Sequence, residues 1–426
     1  MNVIRTEQIW IKGDENIQNL CYISKNLYNE ANYIVRHEFF KTKRWIRYNE
    51  LYKLLKESEN YRALPAQTAQ QILKIVDRIW KSFFNATNAW KEKPEKFNEM
   101  PRPPKYKKKD GVFILIFTNQ QVKVKGDWLI FPNVVGLRLK TRIKERIKEV
   151  RIIPKGVGYV VEIVYEKEVD VVERDKSRIA GIDLGVRNLV TIANNIGEAP
   201  IVVKGGVVKS INQFFNKEMA RLQHIYAKQG IKKSKRLKKL SVKRERKLKD
   251  FLHKASKFVA EWCAKRNIGR LVIGYNKEWK QEVNLGRRNN QNFVQIPFLM
   301  LIQQIKYKAE ERGIEVILVE EDLTSKCSFL DCEPIEHREY IGRRLRGLFK
   351  SARGIINADV NAAYNIIRKA IPEAFEADGI EGVGLHPVRW TNDEIAQSIL
   401  RKAQNAQPGH FRRFSSLYRI ATAMLF

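Results

Sequence analysis

An aspartate stands inside the apolar strand GIDLG of the segment RIAGIDLGVRNLVTIA, residues 178–193. A carboxylate buried in a strand without a partner is costly. Asp183 therefore needs either a turn, where it caps the backbone ahead of Gly185, or a cation held at a site. The elements around it narrow the fold. The run itself gives two strands about a glycine-marked turn, and APIVVKGG gives a third. A long helical segment follows over roughly 210–266, then RLVIGY as strand, PFLMLIQQIKYKAEERG as helix, IEVILVEE as strand and INADVNAAYNIIRKA as helix. Three strands in a meander followed by alternating helix and strand is an α/β arrangement, in the order of an RNase H-like domain.

The first 175 residues read differently. Residues 1–13 form a strand closed by Gly13-Asp14, and 15–95 are helical. In LPAQTAQQILKIVDRIWKSFFNA, Ile72, Leu73, Ile75, Val76, Ile79, Trp80 and Phe83 recur at helical spacing, with Pro65 at the start, where proline is tolerated. Trp80, Phe83 and Phe84 are expected in the core. After the basic, proline-marked loop PRPPKYKKKDG (101–111), short strands broken by Gly and Pro suggest a small barrel. The first strand can join it, with the helices inserted between. The tail beyond 371 shows no clear periodicity.

Composition adds a partner. Lys and Arg number 80 against 47 Asp and Glu, a formal net charge of +33. Self-repulsion on that scale opposes a compact state unless a polyanion binds, and phosphates releasing counterions make nucleic acid the natural one. From Lys228 to Lys249 there are 12 Lys or Arg in 22 residues, with Glu245 the sole acid. Lys232, Lys233, Lys235, Arg236, Lys238, Lys239, Lys243 and Arg244 are thus expected to face phosphates, while Leu248, Leu252, Ala255, Val259 and Trp262 form a packing stripe. Arg287, Arg288, Arg343, Arg344 and Arg346, with Lys107 and Lys108 in the proline-marked loop, are read the same way. Gln67, Thr68, Gln70 and Gln71 could read bases from a helix face, Gln67 and Gln71 foremost. The four cysteines form no disulfide framework, the N-terminus lacks a signal-peptide core, and no apolar run reaches membrane-spanning length, so a cytoplasmic or nucleoid location is expected.

Two-metal phosphodiester hydrolysis needs several carboxylates converging on ions about 4 Å apart. Asp359 opens the last helix, where Asn357 can cap and the dipole favours an acid. The third acid stays open. Glu320 and Glu321 end a strand and point to opposite faces, Asp322 suits a turn, and Glu278 leaves the preceding strand among basic neighbours.

The motifs GIDLGVRNLVTIA, GYNKEWKQEVNLGRRNNQNFVQIPF, VEEDLTSKCSF, GRRLRGLFKSARG and INADVNAAYNI, in that order, resemble the TnpB family of transposon-encoded proteins. That family is also described as insertion-sequence accessory transposases, and compact type V CRISPR nucleases are its relatives. The resemblance implies a wedge-like β-barrel (1–14 and 96–175) with an inserted helical recognition lobe (15–95). A RuvC-like nuclease domain (176–370) would follow, with a degenerate zinc-ribbon-like insertion near 324–356, and then a tail (371–426). It further implies Mg²⁺ as cofactor, a guide RNA from the transposon end, and a double-stranded DNA target beside a short adjacent motif. Asp183 and Asp359 fall on the family's first and last catalytic aspartates. The strand that usually ends in a catalytic glutamate carries Gly274 there instead, and a register used by some relatives points to Glu321, just before Thr324-Ser325-Lys326. An active, rearranged site is the leading expectation; a nuclease-dead guided binder, or a transposase joining DNA without a guide, are the alternatives. Only Cys327 and Cys332, with His337 nearby, remain of the two cysteine pairs many relatives carry, so no structural zinc is expected.

Overall fold

The computed structural model describes residues 1–231, 234–276, 291, 293–336, 339–340, 342–345, 347–375 and 383–390. They fall into two compact units, one built on residues 1–169 and 232–242, the other on 170–231 and 243 onward.

In the first unit, β1 (Asn2–Lys12) leads into four helices, α1 (Glu15–Thr42), α2 (Tyr48–Leu55), α3 (Glu59–Arg62) and α4 (Ala66–Glu92). Six strands follow: β2 (Leu115–Thr118), β3 (Lys123–Lys125), β4 (Trp128–Ile130), β5 (Arg138–Lys140), β6 (Arg146–Lys155) and β7 (Gly158–Glu168). The chain turns from β1 into α1 because Asp14 caps the helix, its carboxylate accepting from Ile17 N at 2.9 Å. β1 pairs antiparallel with β7 along its whole length. Where the sequence suggests a small barrel, the hydrogen bonding gives two antiparallel sheets, ordered β1-β7-β6-β2 and β3-β4-β5. Trp80 is fully buried and donates to Asn32 Oδ1 at 2.9 Å, with Phe39, Phe83 and Phe84 packed around its ring. The proline-marked loop is tied down to α1, where Asn32 and Arg36 hold the carbonyl of Pro104 and Asn29 grips both N–H and C=O of Lys107.

The second unit opens with a meander, β8 (Asp175–Asp183), β9 (Asn188–Asn194) and β10 (Ile201–Lys204). Then come α5 (Gly206–Lys228), α6 (Lys235–Lys265), β11 (Ile268–Tyr275), α7 (Phe298–Glu310) and β12 (Glu315–Glu320). A small antiparallel sheet, β13 (Arg343–Leu345), β14 (Leu348–Ser351) and β15 (Gly354–Asn357), precedes α8 (Ala358–Ala370) and β16 (Val388–Trp390). β11 runs parallel to both β8 and β12, giving a six-stranded sheet ordered β12-β11-β8-β9-β10-β16. Two readings change here. The helical stretch expected over 210–266 is two helices, broken near Gly230, which takes a left-handed φ of 68°. The tail expected to lack pattern supplies β16, which pairs parallel with β10 and buries Trp390 against Phe258.

Alternation along β8 sorts its side chains between two cores. Ala180 and Ile182 join Leu252, Val259, Leu301 and Ile305 of α6 and α7. Ile179 joins the opposite core with Val360, Ala363, Tyr364 and Ile367 of α8. Gly181 lies on that second face, and a Cβ there would stand 2.5 Å from both Ala363 O and Ile367 Cγ1. Glycine is thus what lets α8 lie close against the strand. Gly181→Ala is expected to destabilise this unit by about 1–3 kcal/mol, the usual cost of overpacking against backbone. An unchanged midpoint of urea denaturation, followed by circular dichroism, would contradict the tight contact.

Candidate functional site

Asp183 is the last residue of β8, two positions beyond Gly181 and so on the face that α8 covers. Asp359 lies in the first turn of α8, whose N-cap Asn357 accepts from Asp359 N and Val360 N. Helix contact with the sheet therefore delivers Asp359 to the end of β8. The third acid arrives over Gly274. A Cβ at 274 would fall 2.5 Å from Glu321 Oε1, 2.6 Å from its Cγ and 2.5 Å from Ile366 Cδ1. The glutamate one residue past β12 thus fills the space that a side chain on β11 would occupy. Of the neighbouring candidates, Glu320 and Asp322 are exposed, and Glu278 lies outside the described residues.

The three carboxylates feel one another. Asp183 is partly buried, and desolvation, then Glu321, then Asp359 raise its pKa well above the usual carboxylate range, with Arg344 pulling the other way. Arg344, from β13, donates to Asp359 Oδ1 at 2.7 Å. Asn188 donates to Asp359 Oδ2 at 2.6 Å and accepts from Lys204 Nζ at 2.9 Å.

A cluster of hard oxygen donors suits Mg²⁺ or Mn²⁺. Among the described residues, no three metal-binding side chains form a ready coordination shell. That is compatible with Mg²⁺, which keeps several waters and leans on one or two carboxylates plus substrate phosphates. The residues present therefore fit such an ion.

Cys327 is buried, its thiol pushed up by burial, and Cys332 is exposed. The segment is held by side chains. Asn361 and Asn365 both donate to Cys327 O, Asn361 Oδ1 accepts from Phe329 N, and Asp331 accepts from Ala352 N and Arg353 N. His337 lies outside the described residues.

The basic residues divide. Lys235, Arg236, Lys238, Lys239 and Lys243 on α6, and Lys108 in the proline-marked loop, are exposed. Arg244, expected to face phosphates, is drawn inward instead: it donates to Asn212 Oδ1 at 2.8 Å and Gln295 O at 3.2 Å and stacks on Phe215. Lys107 is half-buried over the rings of Tyr28 and Phe113. Gln67 is half-buried and bonded to Gln120 and Thr118, Thr68 is buried, and Gln70 and Gln71 are half-buried. The side chain of Arg343 and all of Lys232, Lys233, Arg287, Arg288 and Arg346 lie outside the described residues. Asn188 lies within the motif GIDLGVRNLVTIA without being marked by it as a site residue, and Lys204 lies outside the quoted motifs; the one signal is a polar residue opening the apolar strand NLVTIAN.

The pKa direction has a testable sign. An acid whose folded-state pKa is raised costs stability as pH climbs from the ordinary aspartate range through the raised value. Asp183→Asn should therefore stabilise the metal-free protein at pH 7.5, by about 1–3 kcal/mol. The gain should shrink towards pH 4; a melting-temperature difference that does not change with pH would refute the electrostatic origin.

Comparisons with known proteins follow this layout. The family model OrfB_IS605, described as a probable transposase, matches residues 162–280, and the Cas12f1-like TNB domain model matches 298–366. TnpB-like protein ORF457 of Acidianus two-tailed virus is 24% identical over 405 residues, covering 84% of each chain. TnpB-like protein MJ0751 of Methanocaldococcus jannaschii is 29% identical over 172 residues, 38% of this chain and 57% of that one. The CRISPR-associated endodeoxyribonuclease Cas12f1 of Sulfoacidibacillus thermotolerans is 31% identical over 226 residues, half of each chain. A cryo-EM structure of a Cas12f1–sgRNA–target DNA complex superposes with a TM-score of 0.50 at 18% identity, covering 83% of this chain and 82% of that one, a likeness of fold.

Proposed function

We propose that this chain, which is similar to TnpB-like proteins and matches the OrfB_IS605 family model over part of its length, is an RNA-guided DNA endonuclease of the TnpB family that cuts target DNA beside a short adjacent motif. Asp183, Glu321 and Asp359 are its catalytic carboxylates. The observation that carries the reading is the fit of Glu321 into the space above Gly274. A site that had merely lost its glutamate would have no reason to refill that space with another.

The sheet order β12-β11-β8-β9-β10 supports an RNase H-like, RuvC-type nuclease domain over 176–370. The pairing of β1 with β7 supports a wedge formed by 1–14 and 96–175, with the helices of 15–95 as the recognition lobe. Asp183, Glu321 and Asp359 would hold Mg²⁺, which when bound lowers the pKa of the attacking water and neutralises the leaving oxygen. The chain's own residues orient the ligands. Asn357 fixes the first turn of α8, and Arg344 sets one carboxylate oxygen of Asp359 while offering its remaining donors to a phosphate. The exposed cations of α6 would contact the backbone of a guide–target heteroduplex without reading sequence.

The deciding experiment is plasmid cleavage by the co-purified ribonucleoprotein on a library of target-flanking sequences, with Mg²⁺ or chelator. Mg²⁺-dependent loss of one flanking motif, only with a matching guide, is expected; guided binding without cutting would refute the nuclease assignment. Asp183→Ala should abolish cutting and leave guided binding nearly intact. Gly274→Ala, by displacing Glu321, should slow cutting about 10-fold or more with guided binding retained; full activity would remove Glu321 from the site. The "probable transposase" description of the matching family model favours transposition as a second reading. Strand transfer on transposon-end DNA without any RNA would support that class.

A further inference from the structure

Asp359 is held from two sides. Arg344 reaches Oδ1 at 2.7 Å from β13, and it is half-exposed. Asn188 reaches Oδ2 at 2.6 Å from the first position of β9, where only 7% of its surface is exposed. Behind Asn188 stands Lys204 of β10, whose ammonium donates to Asn188 Oδ1 at 2.9 Å.

This second arrangement allows one orientation of the amide. An ammonium can only donate and an ionised carboxylate can only accept. The oxygen of Asn188 must therefore face Lys204 and its NH₂ must face Asp359, whichever way a bare amide would turn. The strand pairing is bent to make this possible. β9 and β10 pair in regular register as far as Val190 with Val203, and then the register shifts so that Lys204 stands opposite Asn188. A regular ladder would have set Lys204 against Leu189. Bulges of this kind commonly re-aim a side chain beside a functional site. A cation on the amide oxygen also polarises the group and strengthens the bond its NH₂ makes to the carboxylate.

We infer that Asn188, backed by Lys204, is a positioning residue that fixes Asp359 so that the carboxylate is presented to a divalent cation in a single orientation. The inference rests on the nuclease reading given above. Asn188 donates to the carboxylate and keeps Lys204 one bond removed from it. Outer partners of this type typically alter metal affinity by about 10- to 100-fold when removed.

The test is Mn²⁺ binding to the full-length chain cleared of nucleic acid, read from the electron paramagnetic resonance signal of unbound Mn²⁺. The wild-type protein should bind Mn²⁺ at a site that Asp183→Ala removes. Asn188→Ala should weaken that binding about 10-fold or more, and Lys204→Met should weaken it less, with Lys204→Arg returning it to within about twofold of wild type. A purely structural role would lower the melting temperature without following this order, and rescue by arginine would be absent. Should Asn188→Ala fail to fold, the Lys204 pair carries the test alone. Unchanged Mn²⁺ affinity in folded Asn188→Ala, or in Lys204→Met, overturns the inference and leaves the nuclease reading standing. Absence of any Asp183-dependent Mn²⁺ binding in the wild type overturns the reading of the site itself.

Discussion

The second unit depends on how closely α8 lies against its central sheet. Gly181 on β8 and Gly274 on β11 carry no side chain towards the helix, so Ala363 and Ile367 rest almost on the backbone at the first, and Ile366 shares the space at the second with Glu321. The first turn of the helix is thereby brought to the end of β8, and two aspartates far apart in sequence become neighbours. Packing and chemistry use the same contact. Tyr364, fully buried and stacked on Phe329, fixes the helix from its other side and fastens the segment that carries the two remaining cysteines.

Charge is distributed unevenly around that contact. A chain with a net charge of +33 gathers three acids at one spot, where burial and then the charges of Glu321 and Asp359 raise the affinity of Asp183 for protons. The nearest cations are placed with restraint. Arg344 touches one oxygen of Asp359, whereas Lys204 is kept one hydrogen-bonded group away by Asn188. The amide of Asn188 thus stands between the ammonium and the carboxylate.

Much of this was legible in the sequence. Asp183 announced itself as a carboxylate in an apolar strand, and Asp359 as an acid in a capped first turn, because both signals are local. The stripe from Leu248 to Trp262 packs as its periodicity predicts. What was not legible depended on neighbours distant in sequence. Which of Glu320 and Glu321 turns inward follows from the parallel register of β11 and β12, and Asn188 meets Lys204 only because the register between β9 and β10 shifts beside it. Arg244 sat in a run of cations and looked like its neighbours, yet α5 supplied Asn212 and Phe215 to draw it in. The short strand β16 has three residues, too few for any periodicity to mark it.

The exclusion between positions 274 and 321 also constrains how such a site can change over generations. A side chain on β11 at 274 and the inward glutamate at 321 claim the same volume. A chain that acquires a carboxylate at one position while keeping it at the other meets a clash, and one that loses either first is left with two acids. The two arrangements are therefore separate basins of sequence space, with a crowded or a crippled intermediate between them. Passing from one arrangement to the other therefore takes changes at both positions, not at one.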